Sequence, residues 1–155
     1  MGSKTMTHNY KEPTLIKGGK AVDDRGSLGF VNDFLVNGFK RFYTVENHEQ
    51  GFIRAWHGHM KESKAIIAIK GSILVGAVQM TDTKNPDKSK PVSRYVLSSD
   101  TPSVLVVPAG FANGFKTLSK DAIVLFLSSS TLEESQGDDF RFPFDYWNPW
   151  TIEPR

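Results

Sequence analysis

Short apolar runs separated by turn residues recur along the whole chain. Residues 28–34, 41–45, 52–56, 65–69, 73–80, 94–97, 104–107 and 123–128 are rich in β-branched and aromatic side chains, which suit a pleated, half-buried surface. Asp24-Arg25-Gly26, Gly51 and Pro108-Ala109-Gly110 punctuate them as turn formers. Lys70-Gly71-Ser72 stands between two runs and predicts a β-hairpin. Residues 81–91 are polar, hold two prolines and predict an exposed loop. Seven or eight short strands at even spacing predict an all-β sandwich or closed barrel rather than βαβ units. Only residues 131–136 look helical, for little more than one turn. Thr131 and Glu134 have the spacing of a capping box, and Gly137 is placed to stop the turn. The stretch 140–150 gathers Phe140, Phe142, Phe144, Tyr146, Trp147 and Trp150. So much aromatic surface must be covered, either by closing one end of a barrel or by docking on a second subunit.

The 155 residues suit one domain, 1–155, with a modest core. No repeat or linker divides them. A hydrophobic share of 39% excludes a disordered chain. The net charge of +2 is small and its residues are scattered, which speaks against nucleic acid and against a membrane surface as partners. No apolar run is long enough to span a bilayer. The absence of cysteine excludes disulfides, iron–sulfur clusters and thiol catalysis. Residues 1–10 are polar, without a secretory signal, and are expected to be flexible. Their start reads either as native or as a vector-derived leader ahead of Met6. A cytoplasmic protein is expected.

Chemistry enters with the four histidines, His8, His48, His57 and His59. His8 lies in the polar N-terminus and is expected to be inert. The last two belong to Arg54-Ala55-Trp56-His57-Gly58-His59. Alternate strand positions share a face, so a strand here turns His57, His59 and Ala55 to one side and Trp56 and Gly58 to the other. Imidazoles on the inner wall of a barrel are costly unless hydrogen-bonded or liganded. Three readings stand open: a solvated pair at a strand end, a metal pair, or a catalytic base.

Gly51, His57, His59 and Glu62 resemble the first motif of metal-binding cupins, with Glu62 one residue early. Pro108, Gly110 and Asn113 resemble the second, with asparagine where a histidine ligand belongs. A neutral amide is a poor ligand beside imidazoles, so no metal is expected. The resemblance implies a cupin fold, that is, a jelly-roll barrel or double-stranded β-helix.

Two cupin families without a metal resemble more of the chain. Asp24-Arg25-Gly26, Arg54-Ala55-Trp56-His57, the stretch 107–115 and Tyr146-Trp147-Asn148-Pro149-Trp150 are similar to motifs of the dTDP-4-dehydrorhamnose 3,5-epimerases. That resemblance implies His57 as catalytic base, Lys64 as active-site lysine, Arg25 as a sugar-nucleotide ligand and Asn113 in place of a second active-site histidine. His57-Gly58-His59-Met60-Lys61 and Arg41-Phe42-Tyr43 resemble the dTDP-sugar 3,4-ketoisomerases, which implies a catalytic Tyr43. Two departures stand out. Ser129-Ser130-Thr131 occupies the region of the epimerase general-acid tyrosine, and Asn148 the place of the aspartate that pairs with the histidine, with Asp145 close by.

The expected enzyme is a cofactor-independent isomerase acting on a nucleotide-diphosphate-4-keto-6-deoxy sugar, dTDP- or GDP-linked. The 4-keto group acidifies the protons on C3 and C5. Histidine is the residue best suited to remove one near neutral pH, and the enolate oxygen then needs a cation. His57 is the expected base, with His59 beside it, and Lys64 the expected stabiliser. Tyr43 or Tyr146 is a candidate acid. Arg25 and Arg54 are candidate diphosphate ligands, and Trp147 is a candidate platform for the nucleotide base. The alternatives are a 3,4-ketoisomerase, a metal-dependent cupin and a non-catalytic sugar binder. The resemblance also implies a homodimer.

Overall fold

The computed structural model describes residues 10–155. The expectations for residues 1–9, His8 and the alternative start at Met6 included, lie outside the described residues. The strands are β1 (Thr14–Lys17), β2 (Gly19–Asp23), β3 (Gly26–Phe30), β4 (Arg41–Glu46), β5 (Ile53–His59), β6 (Lys64–Lys70), β7 (Ser72–Gln79), β8 (Ser93–Ser98), β9 (Ser103–Val107), β10 (Phe111–Thr117), β11 (Ile123–Ser128) and β12 (Phe140–Arg141). One helix, α1 (Leu132–Gln136), lies between the last two.

Ten of these strands form two antiparallel sheets, in the orders β1-β9-β6-β11-β4 and β12-β5-β10-β7-β8. Their inner faces meet in one core. Ile66, Leu105, Val124 and Phe126 come from the first sheet and Ile73, Val75, Ala77 and Phe115 from the second. This is the all-β, two-sheet build that the spacing of apolar runs predicts, and the jelly-roll that the cupin resemblance implies. β2 and β3 pair only with each other and form a separate hairpin.

The residues 70–72 do not form the predicted hairpin. β6 pairs with β9 and β11, whereas β7 pairs with β10 and β8. The turn at Gly71, where φ is +73°, therefore carries the chain from one sheet to the other. The short-range signal locates a tight turn correctly but says nothing of which partners the flanking strands choose.

Both predicted ends of α1 are present. Thr131 accepts the Glu134 amide, the Glu134 carboxylate accepts the Thr131 amide, and Gly137 ends the helix. The loop 81–91 is as expected.

The aromatic tail covers a sheet within the chain rather than a barrel end. Phe142, Trp147 and Trp150 pack with Trp56, Leu74, Val78, Met80 and Ala112. Leu74 and Val78 alternate with the inward residues of β7, so this second cluster lies on the sheet's outer face. Trp56 Nε1 donates to the carbonyl oxygens of Phe144 and Trp147 at 3.0 and 3.1 Å, which anchors the tail to β5. That anchoring matters for function because β5 carries the histidines.

Candidate active site

β5 is bent where the sequence pattern assumes regularity. Asn113 pairs with His57, but Phe115 pairs with Arg54, so Ala55 and Trp56 of β5 together oppose Gly114 of β10. Such a bulge re-aims side chains beside it. Arg54 now joins His57 and His59 on the cavity wall, and Ala55 packs with the Trp56 cluster instead. This corrects the expectation that Ala55 faces with the histidines. Glycine at 114 is required opposite the bulge, because a Cβ there would stand 2.4 Å from that of Ala55.

The cavity between the sheets has a volume of about 430 Å³, within the range of small-molecule sites. Its walls differ in chemistry. β5, β10 and β12 of one sheet supply His57, His59, Arg54, Asn113 and Arg141. β4 and β6 of the other supply Arg41, Tyr43 and Lys64. Val45, Phe115 and Phe126 add apolar lining, and Tyr43 stacks on Phe126 with ring centroids 5.1 Å apart. α1 closes part of the mouth with Leu132, Ser135 and Gln136.

Hydrogen bonds fix these groups. Lys64 Nζ donates to Tyr43 Oη at 2.5 Å. Arg54 Nε donates to Asn47 Oδ1 at 2.6 Å. His59 Nδ1 lies 2.6 Å from the Asp138 carbonyl oxygen. A carbonyl only accepts, so Nδ1 carries a proton. Nε2 is buried and has no hydrogen-bond partner among the described residues.

His59, Glu62 and Asp138 bring potential metal ligands within 4.8 Å of one another. The two carboxylates of this group already hold hydrogen-bond partners. Asp138 accepts the amides of Met60, Lys61 and Glu62 at 2.7, 2.9 and 3.0 Å. The two oxygens of Glu62 accept the hydroxyls of Ser128 and Ser135 at 2.6 and 2.7 Å. Nδ1 of His59 is held by its carbonyl.

Burial pushes the His57 imidazole down to about 4, with Arg141 and Lys64 adding to the effect and Asp139 opposing it. His57 is therefore neutral, and able to accept a proton, at any pH above about 4. We expect kcat/KM to fall in acid with a midpoint near pH 4, well below the value of about 6.5 for a free imidazole. A midpoint near 6.5 would contradict the buried base. Arg141→Gln removes a cation and should move the midpoint upward. The sign for stability follows. Between about pH 6.5 and pH 4 the unfolded chain holds a proton that the folded chain refuses, so this site weakens the fold as pH falls through that window.

Two expected site residues are not in the cavity. Arg25 sits in the exposed β2–β3 turn with its guanidinium paired to Asp23 at 2.5 Å. Here the turn chemistry of Asp24-Arg25-Gly26 accounts for the motif within one chain. Trp147 is buried in the outer-face cluster, and its Nε1 donates to the Asp87 carbonyl. A side chain packed on that side of the sheet has no path to a ligand between the sheets. Tyr146 is excluded as an acid for the same reason, since its hydroxyl donates to the Pro86 carbonyl at 2.6 Å. Asp145 and Asn148 are exposed and do not line the cavity. Asp139 and Arg141, which do line it, had no sequence signal, because β12 is a two-residue strand defined only by its pairing with β5.

Comparison with known proteins identifies the family. The sequence profile described as dTDP-4-dehydrorhamnose 3,5-epimerase matches residues 14–142. The chain belongs to that family. It is thereby placed among the sugar-nucleotide isomerases. The chain is also similar to the spore coat polysaccharide biosynthesis protein SpsL of Bacillus subtilis, with 26% identity over 131 residues, 81% of this chain and 84% of the relative. Among solved structures it resembles the dTDP-4-dehydrorhamnose 3,5-epimerase of Bacillus anthracis, solved with TDP and pyrophosphate. The TM-score is 0.75 at 24% identity, covering 97% of this chain and 91% of the other. It also resembles the 3,4-ketoisomerase QdtA of Thermoanaerobacterium thermosaccharolyticum, in complex with TDP. There the TM-score is 0.66 at 20% identity, covering 88% and 92%. At these identities the structural likeness establishes the fold.

Proposed function

We propose that this family member epimerises C3, C5 or both in a dTDP-linked 4-keto-6-deoxy sugar, in deoxysugar or surface-polysaccharide biosynthesis. One observation carries the reading: a neutral histidine and a lysine-bound phenol stand on opposite walls of one cavity. Inverting a carbon needs a base on one face and an acid on the other. His57 removes the proton next to the carbonyl, and the electron pair moves to the carbonyl oxygen. The Lys64 ammonium stabilises the enolate oxygen. Tyr43 then gives its hydroxyl proton to the opposite face of the carbon. The resulting phenolate is held by Lys64 and regains a proton from solvent, as His57 loses one. Arg41, Arg54 and Arg141 supply guanidinium groups for the diphosphate.

The His57–His59 pair favours a second reading. Both rings line one wall and the Nε2 of His59 has no hydrogen-bond partner among the described residues, which suits proton transfer along a single sugar face, as 3,4-ketoisomerisation requires. Incubation with dTDP-4-keto-6-deoxyglucose in D2O separates the two. Deuterium at C5 with an inverted product supports the epimerase. A 3-keto product supports the ketoisomerase. No exchange with this sugar or its GDP analogue would remove both.

We further propose a homodimer. The β2–β3 hairpin exposes Val22, Leu28 and Phe30, and a lone two-stranded hairpin is marginal in water. A second copy seated there would cover these side chains and fix the position of Arg25. Light scattering should give twice the 17.3 kDa chain mass; a monomer at micromolar concentration would refute it.

A further inference from the structure

Glu62 is a charged group to which the proposed chemistry gives no role. Its side chain is fully shielded from solvent, and it does not line the cavity. A carboxylate in such a place costs several kcal/mol unless it is compensated. The compensation comes from five elements. Oε2 accepts from Ser128 of β11 at 2.6 Å and lies 3.7 Å from Lys64 Nζ of β6 and 4.0 Å from the Arg41 guanidinium of β4. Oε1 accepts from Ser135 of α1 at 2.7 Å and lies 3.6 Å from His59 Nδ1 of β5. The other ionisable groups nearby are Tyr43 beside Lys64, Asp138 on the amides of residues 60–62, and His57 and Arg141 on the facing wall.

The direction of the Lys64–Tyr43 hydrogen bond decides whether Tyr43 can act as an acid. An ammonium has donors and no acceptor. While Lys64 is charged, the phenol oxygen accepts from it and the phenol proton is left for the cavity. A neutral amine would instead accept that proton. Arg41, Arg54 and Arg141 share the cavity with Lys64, and the Glu62 carboxylate faces the Lys64 ammonium from behind the wall at 3.7 Å.

We propose that Glu62 is a positioning residue that keeps Lys64 in its charged, donating form and so aims the Tyr43 hydroxyl proton at the substrate. This rests on Tyr43 being the acid of the proposed epimerase. Two substitutions separate charge from shape. Glu62→Gln keeps the size and an oxygen acceptor but removes the charge; Glu62→Asp keeps the charge and shortens the reach. Glu62→Gln should lower kcat for the inverted product about 100-fold, the lower range for losing a general acid, with KM little changed. Glu62→Asp should keep more activity than Glu62→Gln. Thermal melting shows that each variant is folded.

A substrate-free measurement decides the point even if no epimerase activity is found. In a lysine-labelled NMR spectrum the buried Lys64 ammonium should give a slowly exchanging signal in the wild type and in Glu62→Asp, and none in Glu62→Gln. A Glu62→Gln protein that keeps the ammonium signal, or that matches the wild type in kcat, overturns the proposal. So does a Glu62→Asp protein damaged as much as Glu62→Gln, which would mark a packing role. Wild-type inactivity with the ammonium signals as expected would sink the epimerase reading and leave Glu62 as the group that holds Lys64 charged.

Discussion

His57→Asn is expected to slow both deuterium exchange and product formation on the 4-keto sugar by about 100- to 10,000-fold, the range for loss of a positioned general base. The amide has similar bulk at the point of attachment but no basic nitrogen. KM should change little, because the diphosphate is held by guanidinium groups that the substitution leaves in place. Melting should be close to wild type, since His57 is half-buried and leaves the Trp56 anchor on the other face of β5 intact. The effect should also dominate its neighbours. His59 lines the same cavity, but its ring is tethered through Nδ1 to the Asp138 carbonyl. If His57→Asn exchanged normally while His59→Asn did not, the base would be His59 and the ketoisomerase reading would gain. Exchange by the double variant at the wild-type rate would end any histidine mechanism.

The parts of this site that the sequence makes legible are those set by local rules. In β4, Arg41, Tyr43 and Val45 alternate with exposed Phe42, Thr44 and Glu46, so a period of two places Tyr43 inside. The same period places Lys64 inward with Ile66. The capping box of α1 follows from two residues three apart. The rule fails at β5, because strict alternation cannot foresee the bulge that moves Ala55 out and Arg54 in. β10 shows another limit. Asn113, Gly114 and Lys116 have weak strand preference, yet pairing with β5 on one side and β7 on the other makes this a central strand.

Side chains whose role depends on distant partners carry no local mark. Arg141 reaches the cavity only because β12 lies beside His57 on β5. Glu62 looks in sequence like a displaced cupin ligand, and only the fold surrounds it with Ser128, Ser135 and Lys64. Arg25 and Trp147 fall in recognisable family motifs, yet within one chain Arg25 sits in an exposed turn and Trp147 in an outer-face core.

Tyr43→Phe offers the sharpest separation of the two halves of the reaction. The ring should stay stacked on Phe126, with Lys64 and Arg41 still lying against its face at 5.2 Å, so packing is retained and only the hydroxyl is lost. If His57 removes the proton and Tyr43 returns one from the opposite wall, the variant can still form the enolate. Proton return is then possible only from the His57 side. Deuterium should therefore still enter the unchanged substrate at a rate within about tenfold of wild type, while the inverted sugar falls by about 100- to 10,000-fold. Mass spectrometry of recovered substrate, with NMR of the product, reads both rates in one incubation. Equal loss of the two would make Tyr43 a stabiliser of the enolate rather than its proton donor. Undiminished inversion would place the acid elsewhere, and among the described residues the cavity holds no other phenol. A two-wall site must uncouple exchange from inversion when one wall loses its proton, and a site that works from one face cannot.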